Sequence, residues 1–163
     1  MAQADSVPIY LTAEGRRRLE QRLAAYEAEF RERGADGGGA EAEDSAEEAT
    51  DLEASDDRLR LGDLIADLRR TLDRARPLLP RPDDGVIRQG DTVRVRDEAQ
   101  REEEYRLVDG AEVDLAEGQV AIDSPVGRAL LGRQPGERVA VRTPDGERML
   151  TVLSVQPYRA PAT

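Results

Sequence analysis

The sequence predicts an α+β protein: an antiparallel two-helix coiled coil at the N-terminus, then an antiparallel sheet domain carrying one short helix. Three observations point there. Two segments space their apolar residues by alternating threes and fours. Ten carboxylates and no basic residue lie between Gly34 and Asp57, where those segments would turn. From Asp91 onward the pattern changes to period two.

The first helical segment starts at Thr12, which reads as an N-cap, with Glu14 in the first turn where the helix dipole favours a negative charge. Leu19, Leu23, Tyr26 and Phe30 follow as a narrow seam. Gly34 and the run Gly37-Gly38-Gly39 read as its stop. The second segment carries Leu61, Ile65, Leu68, Leu72, Ala75 and Leu79, spaced 4, 3, 4, 3 and 4, with Pro77 and Pro80 as its end. Such a thin seam buries little, so a second domain is expected to anchor its base. The expected division is a hairpin over residues 1–82, with an acidic tip at about 34–57, and a second domain over 83–163.

In that second domain DTVRVRD (Asp91–Asp97) and ERVAVRT (Glu137–Thr143) alternate strictly. EEYRLVD (Glu103–Asp109), GQVAID (Gly118–Asp123) and RMLTVLSV (Arg148–Val155) are further strand candidates. Pro144-Asp145-Gly146 signals a hairpin turn. A short helix is expected over Pro125–Leu131, with Pro125 at its first position and Gly132 as its stop.

Composition closes off several chemistries. There is no Cys, no His and no Trp, which excludes disulfides, thiolate chemistry and histidine acid–base work. All 24 basic residues are Arg. No apolar run is long enough to span a membrane, and the N-terminus lacks the pattern of a signal peptide, so a cytoplasmic protein is expected. The net charge of −11, of which the Gly34–Asp57 run carries −10, argues against wrapping nucleic acid.

The segment Asp123–Glu137, DSPVGRALLGRQPGE, resembles the C-terminal signature of the GreA/GreB transcript-cleavage factors, roughly "(D/T)SP(I/M)(G/A)(R/K)AL(L/I)GK..GD". VAVRTPDGERMLTVLSV resembles that family's ending, and PIYLTAEGRRRLEQRL resembles its beginning, "PI.LT..G...L..EL". The resemblance spans nearly the whole chain. It implies an N-terminal coiled coil and a C-terminal FKBP-like domain. It also implies a place of action: the globular domain docks at the rim of the secondary channel of bacterial RNA polymerase, and the acidic tip reaches the active-site magnesium. A monomeric accessory factor is implied, not an enzyme in its own right.

At the tip the family reads "GDL.ENAEY.AA", and Asp44-Ser45-Ala46-Glu47-Glu48-Ala49 preserves its D..E.A. Asp44 and Glu47 thus match the functional pair that would share Mg2+ with the polymerase. The family's Asn is Glu48 here, its Tyr falls at Asp51, and the preceding ADGGGAEAE does not match. Some homologues with altered tips inhibit the polymerase, so cleavage of backtracked RNA and non-cleaving regulation both stand as readings. Two carboxylates three apart share one face of a helix and can approach one ion. Asp44-x-x-Glu47 is also a capping-box pattern, and the two roles coexist.

Asp123, Ser124 and Pro125 read as a strand end with a helix cap, and by the resemblance as a docking contact with the polymerase. Arg16, Arg17, Arg18, Arg22, Arg69, Arg70, Arg74 and Arg76 either pair along the helix surface or contact a backtracked RNA 3′ end. A peptidyl-prolyl isomerase is the rival class. With one Phe and four Tyr, an aromatic proline pocket has little material.

Overall fold

The computed structural model describes residues 8–35, 45–113 and 118–162, and of residues 45–54 the backbone alone. The elements run β1 (Ile9–Leu11), α1 (Ala13–Ala35), α2 (Ser45–Arg74), β2 (Ala75–Pro77), β3 (Thr92–Asp97) and β4 (Glu102–Val108). A 3-10 turn at Gly110–Glu112 follows, then β5 (Gln119–Ala121), α3 (Pro125–Leu130), β6 (Arg138–Thr143) and β7 (Gly146–Gln156). By their internal contacts the residues form two compact units. One is Arg17–Arg74; the other comprises the chain up to Arg16 and from Ala75 onward. The expected division at 82/83 therefore differs from the observed grouping, in which the segment after Arg74 belongs with the sheet. Its residues Ala75, Arg76 and Pro77 pair in parallel with Ile9, Tyr10 and Leu11.

In the sheet unit, period-two alternation becomes strand wherever it was read. Val93 and Val95 are buried while Arg94 between them is exposed. The five strands lie in the order β5-β4-β3-β7-β6. Four of them form an antiparallel ladder. The edge strand β5 pairs in parallel with β4, so the sheet is mixed and not wholly antiparallel. The physical reason is the connection: β4 does not turn straight back but runs through the 3-10 turn, and parallel neighbours need such a crossover. The hairpin turn falls as expected, since Thr143 pairs with Gly146 and leaves Pro144 and Asp145 as the loop. Gly146, at φ 128°, takes a backbone conformation that side chains disfavour. Ile87, Val93, Val95, Leu107, Leu130, Val139, Val141, Leu150 and Val152 form the core, each worth roughly 1.5–3 kcal/mol of burial.

In the helical unit, α1 and α2 run antiparallel. Arg69 donates to Glu27 at 2.6 Å, Arg58 stacks over the Phe30 ring at 4.8 Å, and Arg33 pairs with Asp57 at 3.3 Å. Partners thus climb along α1 as they descend along α2. Leu19, Leu61, Ile65 and Leu72 are buried, and Leu23, Tyr26, Phe30 and Leu68 are half-buried. The seam ends at Leu72. Ala75 belongs to β2, and Leu79 is 68% exposed. α2 stops at Arg74, three residues before Pro77, where pairing with β1 takes over. Gly34 lies inside α1, and Gly37-Gly38-Gly39 fall outside the described residues. Exposed ion pairs such as these add about 0–1 kcal/mol each, so the unit depends on its apolar seam.

The start of α1 lies in the sheet unit and is held there by buried polar groups. The Thr12 hydroxyl accepts from the Gly15 N–H at 2.9 Å, the predicted cap. The Thr12 N–H donates to Glu112 Oε2 and its hydroxyl donates to Glu112 Oε1, both at 2.9 Å. Thr12 is 1% exposed and Glu112 6%. The Ala13 N–H donates to the Tyr158 hydroxyl at 3.0 Å, and the Tyr158 N–H donates to the buried carboxylate of Asp91 at 2.9 Å. A Cβ at Gly15 would lie 2.2 Å from Glu112 Oε2, so only glycine admits the carboxylate there. Burial pushes the Glu112 carboxyl above its ordinary value, against the opposing pull of the Thr12 donors and of Arg106.

Ile65→Ala should cost about 2–4 kcal/mol in chemical unfolding, and Leu64→Ala, on the exposed side, less than about 0.5 kcal/mol. Equal small losses would show that the seam is not packed. The raised Glu112 carboxyl favours the folded state when protonated. Its share of stability is present below the ordinary value of 4.5 and is lost as pH rises through the higher folded value. Wild type should therefore lose stability between weakly acid and neutral pH by a step that Glu112→Gln lacks. Superimposable profiles of melting temperature against pH would refute this.

Candidate functional site

The expected docking residues sit where β5 gives way to α3. The Ser124 hydroxyl works in both directions: it accepts from the Gly127 N–H at 3.1 Å and donates to the Ala121 carbonyl at 2.7 Å. The Ser124 N–H donates to the same carbonyl at 3.0 Å. Pro125 occupies the first helical turn, where its missing N–H costs nothing. Asp123 and Pro125 are exposed on either side of the locked serine. A short β-strand end and a capped helix thus present one carboxylate and one apolar ring side by side. That arrangement suits a partner surface offering a cation or N–H donor next to an apolar side chain.

Sequence reading missed what holds this corner. Gly127 is buried, and a Cβ there would fall 2.1 Å from the Ala121 carbonyl oxygen. Glycine lets the first turn of α3 lie directly on the end of β5. The signal was available, since an isolated glycine within a helical pattern marks close packing. Beside the corner, Asp123 Oδ1 lies 3.8 Å from where a Cβ of Gly110 would be. Glu112 carried no such signal, because its partners Thr12 and Gly15 are about a hundred residues away in sequence.

The expected tip pair is placed only in part. Asp44 lies outside the described residues. Glu47 falls in the first turn of α2, and its side chain is not described. Among the described residues no group of three or more acidic side chains is close enough to hold a metal ion. Of the acid run, Asp57 is engaged with Arg33 at 3.3 Å and Arg60 at 3.7 Å. On the shaft, Arg69 pairs with Glu27 and Arg70 with Asp67, which agrees with helix-surface pairing for these two. No described helix is long and apolar enough to cross a membrane.

Comparison with known proteins concerns nearly the whole chain. The family described as "Transcription elongation factor, GreA/GreB, C-term" matches residues 82–157. Transcription elongation factor GreA of Roseiflexus castenholzii is 33% identical over 153 residues, covering 91% of this chain and 98% of that protein. The GreA of Chloroflexus aurantiacus is 35% identical with the same coverage. Among solved structures, GreA factor homolog 1 of Thermus thermophilus is 26% identical and covers 92% of this chain and 99% of its own, at a TM-score of 0.41. That score is low, so membership rests on the sequence relatives. These relatives are named elongation factors, which gives the isomerase alternative no support. With GreA relatives 33–35% identical over 91% of its length, the chain belongs to the GreA/GreB family of transcription elongation factors.

Proposed function

We propose that this chain is an accessory factor of bacterial RNA polymerase that docks by its sheet unit and modulates transcription with its acidic tip through the secondary channel. The observation that carries this is the locked corner Asp123-Ser124-Pro125, an exposed carboxylate and proline held by a two-way serine. Family membership supports the partner. The docking corner supplies binding and position, and the tip supplies charge.

The donor set at the tip fits magnesium. Asp44 and Glu47 offer hard carboxylate oxygens, and Mg2+ is commonly held by one or two carboxylates with the rest of its shell water. A second ion beside the polymerase's own would supply an activated water and screen phosphate charge during phosphodiester hydrolysis. The role of this chain's residues is to bring those oxygens to the site. Regulation without cleavage is the leading reading, because Glu48 and Asp51 stand where the family pattern has Asn and Tyr. Cleavage of backtracked RNA is the second, favoured by the retained D..E.A at 44–49. Backtracked elongation complexes decide between them: RNA shortened from its 3′ end establishes cleavage, and slowed synthesis with intact RNA establishes regulation.

Asp123→Ala should weaken binding to RNA polymerase by about tenfold, near 1.4 kcal/mol, with thermal stability unchanged. Unaltered affinity in a titration would remove the docking assignment. If Asp44 and Glu47 hold a second Mg2+, Asp44→Asn, which keeps the shape and capping oxygen but loses the negative charge, should abolish 3′-end cleavage while binding persists. A fully active Asp44→Asn protein would leave the pair with capping alone.

A further inference from the structure

The face of the five-stranded sheet turned away from its core carries two rows of arginine with short hydroxyls between them. Val93 and Val95 are buried in the core, so Arg94 and Arg96 of β3 lie on the opposite face. On β7, Ser154 pairs with Arg94 and Thr151 with Arg96. From the other side of β7, Arg138 of β6 pairs with that same Thr151. Residues three apart in a regular strand face opposite ways. Thr151 and Ser154 share a face because the register slips between them. Val95 pairs with Val152 and Arg94 with Ser154, which leaves Leu153 as an extra residue. The bulge thus lays two short hydroxyl side chains along the middle strand, with long guanidinium side chains on both flanks. Arg96 is engaged by Glu102 at 2.7 Å. Among the described residues neither Arg94 nor Arg138 has an ion-pair partner, and both are exposed.

We propose that this trough is a second contact with RNA polymerase and takes a carboxylate-bearing segment of that protein lying along β7. A guanidinium meets a carboxylate with two parallel N–H donors, and the hydroxyls of Thr151 and Ser154 add donors between the arginines. Charge selects a protein over a nucleic acid. Glu102 and Glu104 of β4 and Glu147 of β7 lie on the same face, and each repels a continuous row of phosphates. None of the strand residues on this face is an aromatic on which bases stack. A protein surface instead sets its carboxylates apart, so they reach Arg94 and Arg138 without facing the acids. The Glu102 carboxyl is held below its ordinary value by its bond from Arg96, with the charges of Arg96 and Arg94 adding to the effect. The field over β3 therefore stays positive beside that acid. The trough shares no residue with the corner at Asp123-Ser124-Pro125. The inference rests on the polymerase as partner, the reading of the preceding section, and adds a surface to it.

The test is titration of the full chain against core RNA polymerase and, separately, against an elongation complex carrying DNA and RNA, with thermal unfolding measured for every variant. Arg94→Gln and Arg138→Gln should each weaken binding by about three- to tenfold, at unchanged melting temperature because both side chains are exposed. Arg133→Gln, the same charge change after α3, should bind as wild type does. Wild-type affinity should fall between about 0.1 M and about 1 M salt, where the screening length drops from about 10 Å to about 3 Å. The double variant Arg94→Gln/Arg138→Gln should lose part of that dependence. The losses should be equal for the core enzyme and the elongation complex, and should add to that of Asp123→Ala, since the two surfaces are separate. Losses confined to the elongation complex would assign the face to nucleic acid and overturn the proposal. So would an equal loss in Arg133→Gln, which would mark a response to net charge alone. Wild-type affinity in an Arg94→Glu/Arg138→Glu variant would overturn it as well and leave the Asp123 corner standing. Failure of the wild-type chain to bind either form of the polymerase would overturn the partner itself, and the proposal with it.

Discussion

A carboxylate buried at the root of α1 is the constraint from which much of the sheet unit follows. The first turn of any helix leaves backbone N–H groups without internal partners, and burying them demands acceptors from elsewhere. Here the acceptors are the Thr12 hydroxyl, the Tyr158 hydroxyl and the Glu112 carboxylate. They come from the residue after the first strand, the segment after the last strand and the turn between β4 and β5. Tyr158 is in turn held by Asp91, so residues 12, 91, 112 and 158 depend on one another. The beginning of the helix is satisfied only when both ends of the chain have folded onto the sheet.

The parts of this fold legible in the sequence are those governed by short-range physics. The alternation in DTVRVRD and ERVAVRT, the Pro144-Asp145-Gly146 turn, the Ser124 and Pro125 helix start and the Thr12 cap each depend on residues within a few positions. What escaped depends on pairing at a distance. Three-residue strands such as Ile9–Leu11 and Ala75–Pro77 show no period of their own, and only their pairing makes them strands. The parallel placement of β5 is set by the path of its connection, not by its composition. Leu79 continued the heptad spacing and is exposed, because spacing does not record where a helix is interrupted by something else the chain prefers to do. At the candidate site, Ser124 was readable as a cap, while the closeness of Gly127 to β5 needed the third dimension.

The two proposed functional regions rest on different physics. The corner at Asp123-Ser124-Pro125 is held by hydrogen bonds and by the absence of a single Cβ, so its geometry tolerates little change. The acid run relies on charge, which acts over distance and is screened by salt. On the proposed reading the first gives specificity and the second gives effect. Their opposite tolerance to mutation follows. Outside the Asp44 and Glu47 pair, one substituted acid among ten leaves the field of the run largely intact, whereas one methyl group at Gly127 meets a carbonyl oxygen.

The parallel pairing of Ile9–Leu11 with Ala75–Pro77 makes Arg17–Arg74 an insertion within a chain whose two flanks are already joined. Among the described residues, none of that insertion belongs to the sheet unit's core or ladder. A segment of another length or composition can thus be spliced between the same two strands while the corner at Asp123-Ser124-Pro125 stays as it is. On the proposed reading, rewriting that one contiguous stretch changes the effect on transcription without touching the part that binds.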